Sequence, residues 1–335
     1  MSSKKLCKVY FKADASSEIG YGHFIRTLAL ADMLKNDYDC IFFTSEPNEY
    51  QKGEVAKVCP LHPLSFDTAE ETFLQLLTGD EIVVLDNYYY TAEYQKQIKD
   101  KGCKLVCIDD IADRYFYADV VINHAPGILP ESYKCEPYTQ LLLGVNYLLL
   151  RKEFFQATKA TRSSKDNTTF ICFGGSDEYN FTLKTCKIIR QIDKRTIIAV
   201  IGGGYLHASE LGAFAKDNAI EVHHSVSAQG MVDLMMRSSI AIVPSSSILL
   251  EACCTRIPII TGYEVNNQEK IASCCDKLGL GYCCGDLNDS FENKIKEALL
   301  LMNPTFKSYY VQNQVHLIND SSERLIAEFK KLEFN

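Results

Sequence analysis

Short aliphatic runs alternate with amphipathic stretches along most of the chain, and this alternation constrains the fold more than any other feature. Cys7 to Ala13, Cys40 to Thr44, Glu81 to Leu85, Lys104 to Ile108 and Asp119 to Ile122 are rich in the β-branched and aliphatic residues that strands favour. His23 to Lys35, Ala69 to Leu77 and Ala92 to Lys101 lie between them; in the first, Phe24, Leu28, Ala31 and Leu34 recur at helical spacing. Strands this short and this apolar are buried on both faces, which predicts a parallel sheet covered by helices on each side. The pattern restarts with strands at Phe170 to Phe173, Thr196 to Ile201, Ile220 to His223, Ile240 to Val243 and Ile257 to Ile260. Helices are expected between them at Phe181 to Gln191, Ser209 to Asn218, Ala228 to Arg237 and Ile248 to Thr255. Thr158 to Thr169 is rich in Lys, Arg, Ser and Thr, has no apolar run, and reads as a linker. The expected organisation is an N-terminal domain at 1–157, a linker at 158–169 and a C-terminal domain at 170–335. These would be two Rossmann-like α/β domains facing a central cleft at the carboxyl ends of their strands. From Ser290 onward the pattern is helical, a segment expected to pack back over the N-terminal domain.

Composition narrows the function classes. The 335 residues suffice for two domains with separate cores, and a net charge of -8 argues against a nucleic-acid surface. Met1 to Lys8 lacks the apolar core of a secretory signal, and no run approaches the roughly 18 apolar residues of a membrane span. Fourteen cysteines diluted over a chain of this length fit reduced thiols in a cytoplasm. The doublets Cys253-Cys254, Cys274-Cys275 and Cys283-Cys284 contain no C-x-x-C pair, and adjacent cysteines point apart, so no metal is expected and small apolar core residues are the simpler reading. No cofactor motif stands out. The oligomeric state stays open, and a monomer is compatible with everything read here.

The chemistry-bearing residues gather after strands. Glu-Ile-Gly-Tyr-Gly-His-Phe-Ile-Arg, from Glu18 to Arg26, places His23 behind a two-glycine turn at the mouth of a helix. Gly20 and Gly22 permit a sharp turn and close approach of a ligand, while the N–H groups at the helix start favour an anion. The same partial positive charge disfavours imidazolium, leaving His23 suited to act as a general base. A loop histidine beside a purely structural glycine turn would look the same. Asp14, Asp86-Asn87-Tyr88, Asp109-Asp110 and Asn123 also fall at or just beyond strand ends, where sugar contacts or Asx turns would place them.

In the second half, Gly174, Gly175, Ser176, Asp177 and Asn180 repeat the strand, glycine turn and helix order that a nucleotide site needs. Gly202-Gly203-Gly204 follows another strand and has room to pass a planar base. Pro244-Ser245-Ser246-Ser247 offers hydroxyls and N–H groups to phosphate, and Glu251, one turn on, can accept hydrogen bonds from both ribose hydroxyls. A serine cap followed by a solvated glutamate would give the same letters. Asn266-Asn267-Gln268 supplies amides for acetamido groups, or simply a helix start.

Taken together, these residues resemble the UDP-2,4-diacetamido-2,4,6-trideoxy-β-L-altropyranose hydrolases of bacterial pseudaminic acid biosynthesis, over nearly the whole chain. The family's first motif is matched by Asp14, Ser16, Ser17, Ile19, Gly20, Tyr21, Gly22, His23 and Arg26, and a mid-chain motif by Arg151, Glu153 and Phe154. Phe170 to Asp177, then Ser246, Ser247, Glu251 and Ala252, then Asn267, Gln268 and Glu269 match the later elements. One departure is Asn87, where a characterised relative has histidine beside the matching tyrosine.

The resemblance implies the two-domain GT-B architecture shared with the glycosyltransferases that add N-acetylglucosamine to peptidoglycan lipid. It also implies a metal-independent hydrolase without cofactor: water activated by His23 attacks C1 of a UDP-sugar with inversion and C–O cleavage, in a pathway that feeds flagellin or surface glycan glycosylation. Glu251, Ser246, Ser247, Gly174 and Gly175 become UDP contacts; Tyr88, Asn267, Gly22 and Asn180 lie on the substrate side; Asp14, Arg26 and Asp109 support. A glycosyltransferase on the same scaffold, a UDP-sugar 2-epimerase and a non-catalytic nucleotide-sugar binding protein are the alternatives. The longer glycine-rich first loop of the peptidoglycan enzymes is absent, which favours the hydrolase.

Overall fold

Both main sheets are built from parallel pairings, as buried aliphatic strands joined by helices require. The computed structural model describes residues 6–15, 20–162 and 167–333. Ser16, Ser17 and Ile19 of the first motif, and residues 163–166 of the expected linker, lie outside them. The chain divides into two units, Met1–Lys152 with Asp320–Asn335, and Glu153–Asn319. The division therefore falls five residues before the expected end of the first domain, and the last segment is counted with the first unit rather than the second. Of the expected linker, Thr168 and Thr169 are already in a strand, and Arg162 donates from Nη1 to the Thr255 carbonyl at 3.0 Å within the second unit.

In the first unit the strands are β1 (Lys8–Ala13), β2 (Asp39–Ser45), β3 (Leu61–Leu64), β4 (Ile82–Asp86), β5 (Lys104–Ile108), β6 (Tyr115–Phe116), β7 (Val120–Asn123), β8 (Lys134–Cys135) and β9 (Gln140–Leu143). Seven of them form one sheet in the order β3-β2-β1-β4-β5-β7-β9, and β6 pairs with β8. Helices α1 (Gly22–Leu34), α2 (Glu49–Val55), α3 (Ala69–Leu76) and α4 (Ala92–Asp100) follow the first, second, third and fourth strands. One sheet face packs Val9, Phe11, Val84 and Val106 against Phe24, Leu28 and Leu34 of α1; the other packs Tyr10, Val83 and Leu105 against Phe73 and Ile98. The order reverses between β1 and β4, so their connections leave on opposite faces and a crevice opens at the carboxyl ends of those two strands. The strands β3 and β9 were not read from the sequence. β3 contains Pro63 and buries only Leu64, and β9 is a sheet edge whose apolar run is broken at Gly144, φ +83°.

The second unit begins with α5 (Lys152–Ala157), whose first residue belongs to the other unit, and has strands β10 (Thr168–Ile171), β11 (Thr196–Ile201), β12 (Ile220–His224), β13 (Ile240–Ile242), β14 (Ile259–Tyr263) and β15 (Tyr282–Asp286). Their order, β12-β11-β10-β13-β14-β15, reverses between β10 and β13. The intervening helices are α6 (Phe181–Ile192), α7 (Ala208–Asn218), α8 (Ala228–Met236), α9 (Ser247–Cys254) and α10 (Asn266–Leu278), followed by α11 (Phe291–Leu301) and α12 (Pro304–Leu317). The core gathers Ile171, Ile197, Ala199, Ile240 and Ile260 against Cys186, Ile189, Ile295 and Ala298. Cys253, Cys254 and Cys275 are buried, while Cys274, Cys283 and Cys284 are half-buried.

Candidate active site

α1 begins at the β1 side of the first unit's crevice, and its first turns present His23, Arg26 and Thr27 at i, i+3 and i+4, one above another on a single face. That face meets Asp86, the last residue of β4, which is fully buried. Asp86 Oδ1 lies 2.7 Å from His23 Nδ1 and accepts from Arg26 Nη2 at 2.6 Å. Its Oδ2 accepts from Arg26 Nε at 2.6 Å and Thr27 Oγ1 at 2.9 Å. Burial by itself would raise the Asp86 carboxyl, but the charge of Arg26, then that of His23, more than offsets it and holds the group at about 2. An ionised carboxylate has no proton to give, so the 2.7 Å contact places the hydrogen on His23 Nδ1 and the lone pair on Nε2. Arg26 Nη2 also lies 3.1 Å from Nδ1, but both atoms then carry hydrogens, and the guanidinium bond is the one to Asp86.

Arg26 reaches a second carboxylate, donating from Nη1 to Asp110 Oδ2 at 2.8 Å. The same oxygen accepts from Tyr88 OH at 3.1 Å, and the Tyr88 ring meets His23 edge-on, with centroids 4.4 Å apart. His23, Asp86, Arg26, Asp110 and Tyr88 therefore form one network built from the ends of β4 and β5 and the start of α1. One guanidinium faces two carboxylates, so the network is a charge short of neutral until the imidazole takes a proton.

Asp14 and Asp109 do different work. Asp14 Oδ1 accepts from Ser45 N at 2.5 Å and Thr44 Oγ1 at 3.1 Å; Oδ2 accepts from Tyr89 OH, and from Tyr90 OH at 3.3 Å, with Lys12 Nζ 3.8 Å away. It braces the loop after β4 to the ends of β1 and β2. Asp109 Oδ2 accepts from Ala112 N at 2.8 Å and Tyr133 OH at 2.9 Å, holding the turn after β5, and burial raises its carboxyl. Gly20 sits at φ +73°, whereas Gly22 is not in the left-handed region, and a Cβ at either position would meet no atom of the described residues within 4 Å. Gly20 is thus demanded by the backbone and Gly22 is not.

The residues singled out in the second half lie beyond the carboxyl ends of its strands: Gly174 to Asn180 after β10, Gly202 to Gly204 after β11, Ser245 to Ser247 after β13 and Asn267 after β14. Gly174 has φ +84°, and a Cβ there would meet no atom of the described residues within 4 Å. Gly175 has its carbonyl engaged by Gly204 N at 3.1 Å, and a Cβ on Gly202 would lie 2.4 Å from that oxygen. The glycine run 202–204 therefore permits two loops to pack. Asp177 accepts from Phe181 N at 2.7 Å and Thr182 N at 2.8 Å and caps α6, and Asn180, at φ 56°, accepts from Tyr205 OH at 2.5 Å. Ser245 is sealed against Thr261 at 2.9 Å, while Ser246 and Ser247 are half-buried at the start of α9. Glu251 is 6% exposed and four residues after Ser247, so it is not the solvated glutamate of the simpler alternative. Asn267 is the second residue of α10, and Gln268 Oε1 accepts from the Glu264 backbone.

Asp86 as the partner of His23 was not singled out from the sequence, nor was His124, buried just beyond β7. The spacing of His23, Arg26 and Thr27 on one helical face is the signal that a single buried acceptor serves all three.

No family model matches the chain. It is 29% identical over 285 residues to the UDP-2,4-diacetamido-2,4,6-trideoxy-β-L-altropyranose hydrolase of Campylobacter jejuni, covering 81% of this chain and 97% of that one. It is 24% identical over 270 residues to the spore coat polysaccharide biosynthesis protein SpsG of Bacillus subtilis, covering 78% of each. The uncharacterized protein MJ1062 of Methanocaldococcus jannaschii is 28% identical over 278 residues, 78% of this chain and 57% of that one. Among solved structures, MurG of Acinetobacter baumannii superposes with a TM-score of 0.67 at 12% identity, covering 97% of this chain and 99% of that one. UGT2 of Phytolacca americana, solved with UDP-2fluoro-glucose and pterostilbene, gives 0.65 at 10% identity, covering 98% and 100%. At such identities the structural likeness speaks of the fold, which is GT-B. The match to the Campylobacter protein runs almost the full length of that relative, and the chain is similar to this hydrolase over most of both sequences.

Proposed function

We propose that the protein is a UDP-sugar hydrolase that releases UDP and free 2,4-diacetamido-2,4,6-trideoxy-L-altrose, as a cytoplasmic step of pseudaminic acid biosynthesis. The observation that carries the reading is the pairing of His23 with the buried, ionised Asp86, which leaves Nε2 as the basic nitrogen. The reaction the Campylobacter relative is named for is the one such a base would serve.

In the proposed step a water donates its proton to His23 Nε2 while its oxygen bonds to C1 of the sugar. The C1–O bond to UDP breaks, and the diphosphate departs with the electron pair. Proton uptake brings the Asp86, Asp110, Arg26 and His23 group to neutrality, so the carboxylates favour the imidazolium that forms. Gly174, Gly175, Ser246, Ser247 and Glu251 are the proposed UDP contacts, and helix N-termini and serine donors would stabilise the departing charge. Gly22, Tyr88, Asn180 and Asn267 are the proposed sugar-side residues. Arg26 is assigned to holding Asp86, and Asp14 and Asp109 to bracing loops.

The test is incubation with UDP-2,4-diacetamido-2,4,6-trideoxy-β-L-altropyranose in EDTA, following UDP release and the sugar product by NMR, with heavy-oxygen water to report the broken bond. Heavy oxygen should appear on the sugar and not on UDP. His23→Ala should lower kcat by about 10²-fold or more. Turnover that requires an acceptor would point instead to a glycosyltransferase, an epimerised UDP-sugar to an epimerase, and UDP binding without turnover to a binding protein.

A further inference from the structure

His124 lies one residue beyond β7, at the same carboxyl edge of the sheet as Asp86 and Asp109-Asp110, and is 3% exposed. Its Nδ1 accepts from the backbone N–H of Leu149 at 3.0 Å. A nitrogen that accepts cannot carry the proton, so in the neutral ring the hydrogen is on Nε2. No hydrogen bond from Nε2 is found among the described residues. A buried imidazole with one nitrogen satisfied and the other a donor unanswered among the described residues calls for a ligand or water oxygen there.

The ring is also kept neutral. Burial, with Arg26 adding to it, pushes the imidazole down to about 4, while Asp110 and Asp86 pull the other way. Those charged groups indicate which oxygen fits. Arg26 is committed to Asp86 and Asp110, leaving this corner with an excess of negative charge. Phosphate oxygens would be repelled there, whereas an uncharged carbonyl would not.

We propose that His124 is a second histidine of the sugar-side site, a fixed neutral donor whose Nε2–H binds an amide carbonyl of the substrate. Resting on the hydrolase reading, it assigns to His124 recognition of an acetamido group, while His23 keeps the chemistry.

His124→Asn separates the two edges of the ring, because the asparagine oxygen falls close to the place of Nδ1 and can still accept from Leu149, while nothing replaces Nε2–H. The measurements are kcat/KM and, by calorimetry, the affinities for the intact diacetamido UDP-sugar and for UDP alone. Affinity for the UDP-sugar, and kcat/KM with it, should fall about tenfold, with UDP affinity and melting temperature at neutral pH nearly unchanged. Unchanged affinity for the UDP-sugar would overturn the proposal, as would parallel losses of UDP affinity and melting temperature, which mark a structural role. If the wild type binds the UDP-sugar but does not hydrolyse it, the hydrolase reading fails, while the affinity comparison still decides the role of His124.

Discussion

A carboxylate sealed from water persists only where its charge is answered, and the hydrogen bonds to Asp86 from His23, Arg26 and Thr27 supply the answer. Asp86→Asn should cut kcat about 10²-fold or more, since a neutral amide no longer compensates the imidazolium and its NH2 group can hold His23 in the other tautomer. Arg26 keeps Asp110, so the variant should fold, at a cost of about 3 kcal/mol measurable by urea denaturation. Acid stability follows from two of these groups. His124 titrates at about 4 in the folded chain, against an ordinary value near 6.5, so the unfolded chain takes up its proton first as pH falls. Stability should therefore drop by about 3 kcal/mol between roughly pH 6.5 and 4, and His124→Asn should flatten that slope in urea denaturation at stepped pH. The Asp86 contribution has the other window: it is whole above roughly pH 4 and is lost as pH falls through about 2. In the sequence, Asp86 was one of several acidic residues near strand ends. Only its position as the last residue of β4, opposite the polar face of α1, distinguishes it.

At the scale of elements, the glycine turns separate backbone demand from space left open. Gly22→Ala introduces no contact with the described residues within 4 Å and no left-handed strain, so stability should change by no more than about 0.5 kcal/mol. If this open space admits the substrate, kcat/KM should nonetheless fall, and comparing melting temperature with kinetics on one preparation checks both. Gly202→Ala differs in kind: its Cβ would meet backbone atoms of Gly175 at 2.4 to 2.8 Å, so a loss of about 2 kcal/mol or more is expected from denaturation midpoints. The two sequence patterns look alike, glycines after a strand. What separates them is a neighbouring loop distant in sequence, which no local reading contains. Element types were legible where apolar residues repeat over several turns, as in α1 and α6. They were not legible at sheet edges such as β3 and β15, where few side chains are buried and the pattern carries little apolar signal.

Within the first unit, the last helix, α13 (Ser322–Leu332), is integral to the core, with Leu325, Phe329 and Leu332 packed beside Tyr38 and Leu149. Ser321 Oγ donates to the Leu148 carbonyl at 2.5 Å, and Arg324 Nη1 to Asn146 Oδ1 at 2.7 Å. A chain ending at Asn319 would uncover those three side chains, each worth roughly 1.5 to 3 kcal/mol of burial. It should show a lower first thermal transition and dye-accessible apolar surface, whereas transitions matching the full chain would contradict this packing. That the segment after Ser290 is helical follows from its periodicity; that Asp320–Asn335 is counted with the first unit while α11 and α12 are counted with the second does not, because an amphipathic helix states that it needs an apolar partner without saying which.

What the sequence determined by itself is what local repetition encodes: the alternation of strands and helices, two parallel-sheet domains, the glycine turns and the histidine at the mouth of the first helix. Tertiary structure alone decided which carboxylate orients that histidine, which acidic residues brace loops, where the units divide and that a second imidazole presents an unanswered donor. The reason is that charge compensation, burial and close packing belong to pairs of residues brought together by the order of strands in a sheet. His23 and Asp86 are 63 residues apart in the chain and 2.7 Å apart in the fold.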